Sequence, residues 1–453
     1  MKIIIVGLGK VGSTLAAELS REGNDLTVID NREAVVEAFS SQYDIMGICG
    51  NGVSYSVQME AGITEADLMI AVTGSDEFNL LCCLIARKAG NCHTIARVRN
   101  PQYSTELAYI QEELALAMVI NPELAAADEI ARVLKYPSAI DVDSFNKSRV
   151  ELLKFRVPED SVLDGMRVLD IHSRFRKNIL ICTIERGNEL LIPGGTDKLQ
   201  ARDLVSIAGS ASEANDFFRQ IGLVTNQIKS IILAGGGTLS YYLAKILSAS
   251  GIKVKIIEKD EKRCEELCML LPKVSVVNGD PLNKELMLEE GLRHAEAFAA
   301  VTDIDEENIL LSLYAKKVGK MKVVTQIKRI RFDEVLSDLD LDTVVYPKSI
   351  TAEHILRYVR SMNNSLNSNV ETLHRIINNK AEALEFYVRE ESEVTGKTLQ
   401  ELKIRKGILI ASITRNNGKV LIPRGQDMIQ RGDTVIVITR INGLNDLRDI
   451  LER

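Results

Sequence analysis

The sequence predicts an α/β fold built from two doubly wound parallel-sheet domains, each followed by a small α+β domain. An apolar strand, a glycine-rich turn and an amphipathic helix open the chain, and short alternating strands follow from about residue 151. The same succession starts again near residue 229, as expected for a duplicated fold. The expected boundaries are 1–136 for the first parallel-sheet module, 137–225 for the first small module, 226–360 for the second parallel-sheet module and 370–453 for the second small module.

The first strand is the apolar run from Lys2 to Val6, of the kind that a parallel sheet buries on both faces. It continues into the turn GLGKVG, whose glycines are Gly7, Gly9 and Gly12. In a dinucleotide-binding βαβ unit, the first glycine allows the tight turn, the second lets the backbone approach a pyrophosphate and the third lets helix pack on strand. The turn therefore predicts a Rossmann-like module, with the N-terminus of the following helix facing the phosphates.

The acidic residue at the end of the second strand strengthens this interpretation. The strand from Leu26 to Ile29 leads to Asp30, eighteen residues beyond Gly12, where a carboxylate can accept both hydroxyls of an adenosine ribose. NADH, NAD⁺, ATP and ADP all carry that diol, so the choice among them stays open. The charge of Asp30 disfavours NADP, although Arg32 weakens this argument. The alternative is a glycine turn that only packs.

The later strands of the first parallel-sheet module also end in polar turns. The third exits into Gly50-Asn51-Gly52, which can reach the adenine side of a nucleotide. The fourth ends at Thr73, and Ser75 is the expected N-cap of the next helix. For Asp76 and Glu77, a place in the first helical turn is favoured over a ligand contact.

Two arginines lie at the end of the fifth predicted strand, which runs from Thr94 to Val98. Arg97 and Arg99 are therefore expected at the carboxyl edge of the sheet, where open α/β sheets bind ligands. A phosphate or dimer-interface contact for Arg97 and a solvated salt bridge remain equally good alternatives.

The first small module is predicted from strands at 152–157, 178–185, 189–192 and 204–208, with a closing helix at 212–220. In the link between the second parallel-sheet module and the last small module, the polar run from Ser361 to Asn369 predicts a flexible connector.

The internal repeat extends to individual residues. Residues 229–240, KSIILAGGGTLS, align with the first strand and its glycine turn, and Glu258 takes the place of Asp30. The segment VTDIDEENILLSLYAKKVG from Val301 aligns with VTGSDEFNLLCCLIARKAG from Val72. In the small modules, IPRGQDMIQRGD from Ile422 aligns with IPGGTDKLQARD from Ile192.

The second glycine turn departs from the first at functionally important positions. Ser240 replaces the third glycine, Glu258 replaces the aspartate and Gln326 replaces Arg97. A side chain at Ser240 is expected to push the helix slightly away from the strand. A nucleotide is therefore expected to bind more weakly in the second module than in the first.

Composition excludes several classes of protein. A formal charge of −7 argues against nucleic acid as a partner. The absence of a long apolar stretch and of a signal-like N-terminus predicts a soluble, cytoplasmic chain. The seven cysteines form no C-x-x-C pair and are interpreted as core thiols. The five histidines are scattered without a catalytic or zinc motif, so neither a metal site nor an enzyme is expected.

Taken together, the GLGKVG turn with Asp30, the VTGSDEFN stretch and the strand-rich domain with IPGG and its following aspartate, each with a counterpart in the second half, resemble the Trk-type potassium-uptake regulatory proteins. Their modules are also called regulator-of-potassium-conductance domains, and the resemblance covers essentially the whole chain. It implies a cytoplasmic regulatory subunit, peripheral on the inner face of the cell membrane, that binds NAD(H) and ATP or ADP. It further implies gating of a membrane potassium translocation subunit by a homo-oligomer, either a dimer or a tetramer.

The resemblance and the repeat together define the expected nucleotide-binding residues, and a catalytic residue is not among them. In the first module they are Gly7, Leu8, Gly9, Lys10, Val11, Gly12, Asp30, Asn51, Thr73, Gly74 and Arg97. In the second module they are Gly235, Gly236, Gly237, Thr238, Leu239, Glu258, Asp280 and Thr302. Asn51 stands where many members of the family have aspartate.

Two other functions remain as alternatives. An NAD-dependent oxidoreductase would need a substrate domain that aims an acid or base at the nicotinamide, and the small modules are poor in such groups. An oligomeric scaffold that no longer binds a ligand would be favoured if the purified protein proved empty.

Overall fold

The computed structural model describes residues 1–452 except 102, 104, 105, 146–149, 188, 224–226, 330–335, 337, 338, 340, 368, 369, 377–380, 442, 443 and 445. The expected boundary between residues 225 and 226 lies outside the described residues. Two compact units are present. One comprises Met1–Ile130 and Ser230–Leu356 and contains both parallel sheets, and the other comprises Ala131–Lys229 and Arg357–Arg453 and contains both antiparallel sheets.

The first parallel-sheet module has a six-stranded sheet in the order β3-β2-β1-β4-β5-β6. Every described pairing in it is parallel, and the order reverses at β1, which is the switch point where doubly wound sheets bind ligands. The strands are β1 Lys2–Val6, β2 Asp25–Asp30, β3 Met46–Cys49, β4 Leu68–Ala71, β5 His93–Arg97 and β6 Met118–Ile120. The helices are α1 Lys10–Arg21, α2 Glu33–Tyr43, α3 Tyr55–Glu60, α4 Asp76–Gly90, α5 Leu107–Glu113 and α6 Pro122–Leu134.

The first small module is an antiparallel sheet in the order β10-β9-β11-β8-β7. Its strands are β7 Asp141–Phe145, β8 Val150–Arg156, β9 Leu180–Arg186, β10 Glu189–Leu191 and β11 Leu204–Gly209, and its helices are α7 Val168–Phe175 and α8 Ala211–Gln220. Sequence patterns missed β7 and α7. Edge strand β7 carries Asp141, Asp143 and Ser144 between its apolar residues, a composition that does not by itself indicate a strand.

The second parallel-sheet module repeats the first, with the sheet order β14-β13-β12-β15-β16-β17. Its strands are β12 Ser230–Ala234, β13 Lys253–Glu258, β14 Ser275–Asn278, β15 Ala297–Ala300, β16 Lys322–Gln326 and β17 Thr343–Val345. Its helices are α9 Thr238–Ala249, α10 Glu261–Leu270, α11 Lys284–Glu289, a 3₁₀ turn Leu292–His294, α12 Asp305–Val318 and α13 Pro347–Asn367. The predicted doubly wound fold is thus confirmed in both modules.

The second small module is again antiparallel, in the order β18-β19-β22-β20-β21. Its strands are β18 Val370–Ile376, β19 Ala381–Tyr387, β20 Ile408–Thr414, β21 Val420–Leu421 and β22 Thr434–Thr439, with a 3₁₀ turn at Leu447–Ile450. Within their compact unit, the two small modules share an apolar cluster that includes Leu152 and Cys182 from one and Ala383 and Ile436 from the other.

One expectation about the connector is wrong. Helix α13 continues through the Asn- and Ser-rich run to Asn367, so residues 361–367 are helical, and 368 and 369 lie outside the described residues. Asparagine and serine are only mildly unfavourable in helices, so the preceding turns of α13 can extend through them. Among the described residues, no helix is both long enough and apolar enough to cross a membrane.

Candidate nucleotide-binding site

A cavity of about 980 Å³ lies at the carboxyl edge of the first parallel sheet and is closed by residues of the second parallel-sheet module. Twelve of the expected site residues line it: Gly7, Gly9, Lys10, Val11, Asp30, Asn51, Thr73, Gly74, Arg97, Gly237, Thr238 and Leu239. Seven do not line it: Leu8, Gly12, Gly235, Gly236, Glu258, Asp280 and Thr302. The structure therefore brings most of the residues expected for the first site to one cavity, together with Gly237, Thr238 and Leu239, which were expected in a separate second site.

The first glycine turn has the geometry that its sequence predicts. Gly7 has φ +98°, a conformation that favours glycine, and its N–H donates to the Ile29 carbonyl at 2.8 Å. A Cβ on Gly12 would lie 1.9 Å from the carbonyl oxygen of Gly7, so only a glycine lets α1 approach the turn this closely. These two glycines are required by the protein's own packing.

Three other glycines of the cavity are not required by packing. A Cβ on Gly9, Gly74 or Gly237 would meet no protein atom within 4 Å, and none of the three has a positive φ. All three nevertheless line the cavity. Their bare backbone leaves space where a ligand can approach the main-chain N–H groups at the starts of helices α1, α4 and α9.

Asp30 supports the glycine turn and faces the cavity. One carboxylate oxygen accepts from the Leu8 N–H at 2.7 Å, and the other accepts from the Arg32 backbone N–H at 3.1 Å and from its Nε at 2.9 Å. Burial raises the pKa of Asp30, but the hydrogen bonds from Arg32 and Leu8 outweigh it and lower the pKa below its ordinary value. The carboxylate is thus ionised at neutral pH, and a ribose diol would replace the exposed guanidinium of Arg32.

The second module repeats this support, but it keeps the carboxylate away from the cavity. Glu258 accepts from the Gly236 N–H at 2.5 Å and from the Asp260 N–H at 2.8 Å. The Nε of Arg263 donates to the Gly236 carbonyl at 2.8 Å. Asp280 is an exposed residue that caps its own turn by accepting from the Leu282 N–H.

An asparagine that occurs in both repeats has a structural role. Asn79 accepts from the Thr73 N–H at 2.8 Å and donates to the Arg97 carbonyl at 2.9 Å. Asn308 makes the same two contacts with Thr302 and Gln326, at 2.8 and 3.0 Å. The side chain thus ties together the ends of neighbouring strands and sets the carboxyl edge of each sheet.

Three polar residues near the first site also have structural partners. Asp76 accepts from the N–H groups of Arg99 and Asn100 at 2.8 Å, which fixes the segment after β5. Ser75 caps α4 as expected, accepting from the Phe78 N–H. Asn51 lines the cavity, but its side chain also accepts from the Val53 N–H at 3.1 Å.

Positive charge is concentrated in the cavity wall. Six cationic side chains line it, against three carboxylates, counting only residues that the structure describes. The cations are Lys10, Arg32, Arg97, Arg99, Lys328 and Lys348, and the carboxylates are Asp30, Glu123 and Asp303. This balance favours a polyanionic ligand.

The arginines at the end of β5 have donors available for such a ligand. The Nε atoms of Arg97 and Arg99 are buried and have no hydrogen-bond partner. Burial lowers the pKa of Arg97, and the neighbouring Arg99 lowers it further, while Glu123 and Asp76 oppose the shift. An arginine stays protonated under such a shift, so these side chains present fixed positive charge.

Lys348, at the start of α13, was not identified by sequence patterns. Its Nζ donates to the Lys328 carbonyl at 2.7 Å. Burial lowers its pKa to about 8, and nearby Lys10 and Lys328 add to the effect while Asp305 opposes it. No motif places residue 348 near the glycine turn at residue 10, because the contact depends on the packing of two modules that are far apart in sequence.

The two parallel-sheet modules are joined beside the cavity by a buried polar contact. The Nδ2 of Asn121 donates to the Tyr242 hydroxyl at 2.9 Å, and that hydroxyl donates to the Arg99 carbonyl at 3.3 Å. Asn121 and Tyr242 are 7% and 2% exposed. This contact fixes α9 next to the ends of β5 and β6. No cluster of three or more potential metal ligands occurs in the part of the chain that the structure describes.

Known structures share this fold. The GsuK channel bound to NAD matches with a TM-score of 0.63 and 18% identity over 97% of this chain and 76% of that one. The crystal structure of the GsuK RCK domain matches with a TM-score of 0.62 and 18% identity over 96% and 92% of the two chains. These likenesses confirm the predicted fold class.

Sequence comparison identifies the family. The TrkA-N domain model matches residues 3–122 and 231–347, and the TrkA-C domain model matches 152–222 and 383–452. The Trk system potassium uptake protein TrkA homolog 1 of Methanosarcina mazei is 31% identical over 99% of both chains. TrkA of Haemophilus influenzae is 32% identical over 96% of this chain and 95% of the relative. The chain therefore belongs to the TrkA family of Trk potassium uptake system proteins, with each of its two domain types present twice.

Proposed function

We propose that this chain is a nucleotide-binding regulatory subunit of a potassium transporter, and that NAD(H), ADP or ATP binds in the cavity described above. The observation that carries this proposal is the row of bare glycines, Gly9, Gly74 and Gly237, which neither packing nor backbone conformation requires. The relatives are named for potassium uptake, and the GsuK channel, whose fold is similar, has known structures bound to NAD and bound to ADP.

The residues present fit such a ligand. Asp30 would accept the ribose hydroxyls, and the turn that contains Asn51 would lie along the adenine. The N–H groups at the start of α1, with Lys10, would hold the pyrophosphate. Arg97 would use its unpaired donor on a phosphate or on the part of the ligand beyond it.

A separate nucleotide at Glu258, Asp280 and Thr302 remains a proposal for the second module. We expect it to bind more weakly than the ligand of the first module. The Nε of Arg263 already donates to the Gly236 carbonyl, and Glu258, unlike Asp30, does not line the cavity. A ligand there would have to displace contacts that the protein makes with itself.

We propose regulation rather than catalysis. A regulatory subunit has only to convert the binding of a ligand into a change of its own shape. A ligand shifts a conformational equilibrium by its difference in affinity for the two states. The first and second parallel-sheet modules both contribute walls to the cavity, so occupancy can change how they pack. We propose that a homo-oligomer transmits this change to a membrane potassium translocation subunit, to which the chain attaches peripherally on the cytoplasmic side.

The test compares binding with potassium uptake. Gly9→Asp places a carboxylate in the cavity at a position whose φ of −71° and open surroundings accept a side chain, so the fold should persist. The added charge should repel the phosphates and weaken NADH and ATP binding by more than tenfold in calorimetry. In a strain that lacks the gene, this variant should restore growth at low potassium poorly.

Ser56→Asp is the matched control, since it adds the same charge at an exposed position of the same module outside the cavity. It should bind nucleotides and support growth like the wild type. Normal potassium uptake by the deletion strain would contradict the proposed role in transport. Failure of the wild-type chain to bind any of the four nucleotides would contradict the proposed ligand and favour a scaffold.

A further inference from the structure

One buried amide of the cavity has an unused hydrogen-bonding atom. Gln326, the last residue of β16, is 2% exposed and lines the cavity. Its Oε1 is buried and accepts no hydrogen bond. Buried side-chain oxygens are seldom left without a donor, so this one calls for an explanation.

The backbone of Gln326 is held firmly. Its main-chain carbonyl accepts from the Nδ2 of Asn308 at 3.0 Å, as the carbonyl of Arg97 accepts from Asn79 at 2.9 Å. The two residues are equivalent in the repeat, and both line the same cavity. At this position of the repeat, the wall from the first module thus carries a guanidinium, whereas the wall from the second carries a neutral amide.

The strand order indicates which part of a ligand would meet this amide. Asp30 ends β2 and the glycine turn follows β1, so an extended dinucleotide with its adenosine half there continues past the ends of β4 and β5. The second module is fixed beside β5 and β6 by the contact between Tyr242 and Asn121. Its wall therefore faces the half of the ligand beyond the pyrophosphate.

The half of the ligand beyond the pyrophosphate carries the kind of hydrogen-bond donor that the unpaired Oε1 of Gln326 requires. An amide oxygen needs an N–H or O–H donor. The second nucleoside of NAD(H) offers ribose hydroxyls and a carboxamide N–H, whereas the terminal phosphates of ADP and ATP offer no donor once they are ionised. Resting on the function proposed above, we propose that Gln326 is a specificity-determining residue that contacts the second nucleoside of a dinucleotide bound by the first module.

The test is calorimetry of the full-length chain with NADH and with ADP. Gln326→Leu should weaken NADH binding about fivefold to tenfold, the usual effect of losing one hydrogen bond, and should leave ADP binding unchanged because ADP ends before this wall. Gln326→Met, which keeps the length of the side chain, should give the same result and replaces the leucine variant if that variant does not fold.

Thr325→Val is the matched control. Thr325 is the preceding residue of the strand, is 0% exposed, lies outside the cavity and donates to Ser312 at 2.7 Å. Loss of this hydrogen bond should lower the melting temperature of the protein without changing the ratio of the NADH and ADP dissociation constants.

The outcomes separate this inference from the proposal on which it rests. Equal losses for NADH and ADP, or no loss for either, would overturn the role of Gln326 while leaving nucleotide binding intact. A loss for ADP alone would overturn it as well, since it would mean that the amide donates to a phosphate. A wild-type chain that binds neither ligand would overturn the proposed function itself.

Discussion

The first and second parallel-sheet modules have the same topology but differ in how they use it. In the first, the carboxylate after β2, the turn after β3 and the ends of β4 and β5 all face the cavity. In the second, the start of α9, the segment after β15, the end of β16 with the segment that follows it, and the start of α13 do so, whereas Glu258 lies outside the cavity. Duplication has thus preserved the sheet while the residues at its edge took on separate tasks.

The third glycine position shows the difference at atomic scale. Gly12 allows α1 to lie against the carbonyl of Gly7, whereas Ser240 is fully buried and donates its hydroxyl to the carbonyl of Gly235. The serine thus forms a hydrogen bond that a glycine at this position cannot form. The helix after the turn is thus held against it by close packing in the first module and by a side-chain hydrogen bond in the second.

The largest effect is expected from adding a methyl group at the tighter turn. Gly12→Ala should lower the free energy of unfolding by about 3 kcal/mol, because its Cβ would meet a main-chain oxygen rather than a mobile side chain. Ser240→Ala should cost about 1 kcal/mol, the value of one hydrogen bond. Chemical denaturation of the two variants measures the difference, and equal costs would show that the turns are packed alike.

A smaller effect is expected when the equivalent carboxylates of the two modules, Asp30 and Glu258, are removed and nucleotide binding is compared. Asp30→Ala should weaken NADH binding about tenfold to a hundredfold, since two charge-assisted hydrogen bonds to ribose are lost while Arg32 is released from competition. Glu258→Ala should change the binding in the first-module cavity by less than about twofold, because hydrogen bonds far from a ligand contribute little to its affinity. Calorimetry decides, and an unchanged affinity in the Asp30 variant would remove this residue from the site.

The smallest effect concerns pH and the lysines contributed by both modules. The pKa of Lys348 lies near 8 in the presence of Lys10, Lys328 and Asp305, and a bound phosphate would raise it. Below pH 8, Lys348 is then charged both in the free protein and in the complex with ATP. Above pH 8, it must take up a proton when ATP binds. Affinity for ATP should therefore fall about threefold to tenfold between pH 7.5 and 9.5.

Lys348→Gln provides the control for this profile. The variant should bind ATP more weakly at pH 7.5 and lose most of the dependence on pH, because the titrating group is absent. A profile that stays as steep as in the wild type would assign the titration to another lysine of the cavity.

Local patterns predicted the fold because each parallel strand is a short apolar run with a polar turn at its end. The run Lys2–Val6 coincides with β1, and Ser75 caps its helix as expected. The lining residues of the first module followed from the same local logic, since they lie within a few residues of a strand end.

The wall contributed by the second module could not be predicted in this way. Lys348 and Gln326 line the same cavity as the first glycine turn only because two distant segments pack together, and no spacing in the sequence indicates that packing. The loss of arginine at Gln326 was visible as a departure from the repeat. Its burial and unpaired oxygen were not.

The contact between Tyr242 and Arg99 shows that the main chain and the side chain of residue 99 have separate roles. The hydroxyl of Tyr242 binds the main-chain carbonyl of Arg99, whereas the guanidinium of Arg99 lies on the cavity wall. Any amino acid at position 99 would still present that carbonyl to α9. Substitutions at position 99 can therefore change the charge of the cavity during evolution. The contact between the two duplicated modules is retained in each case.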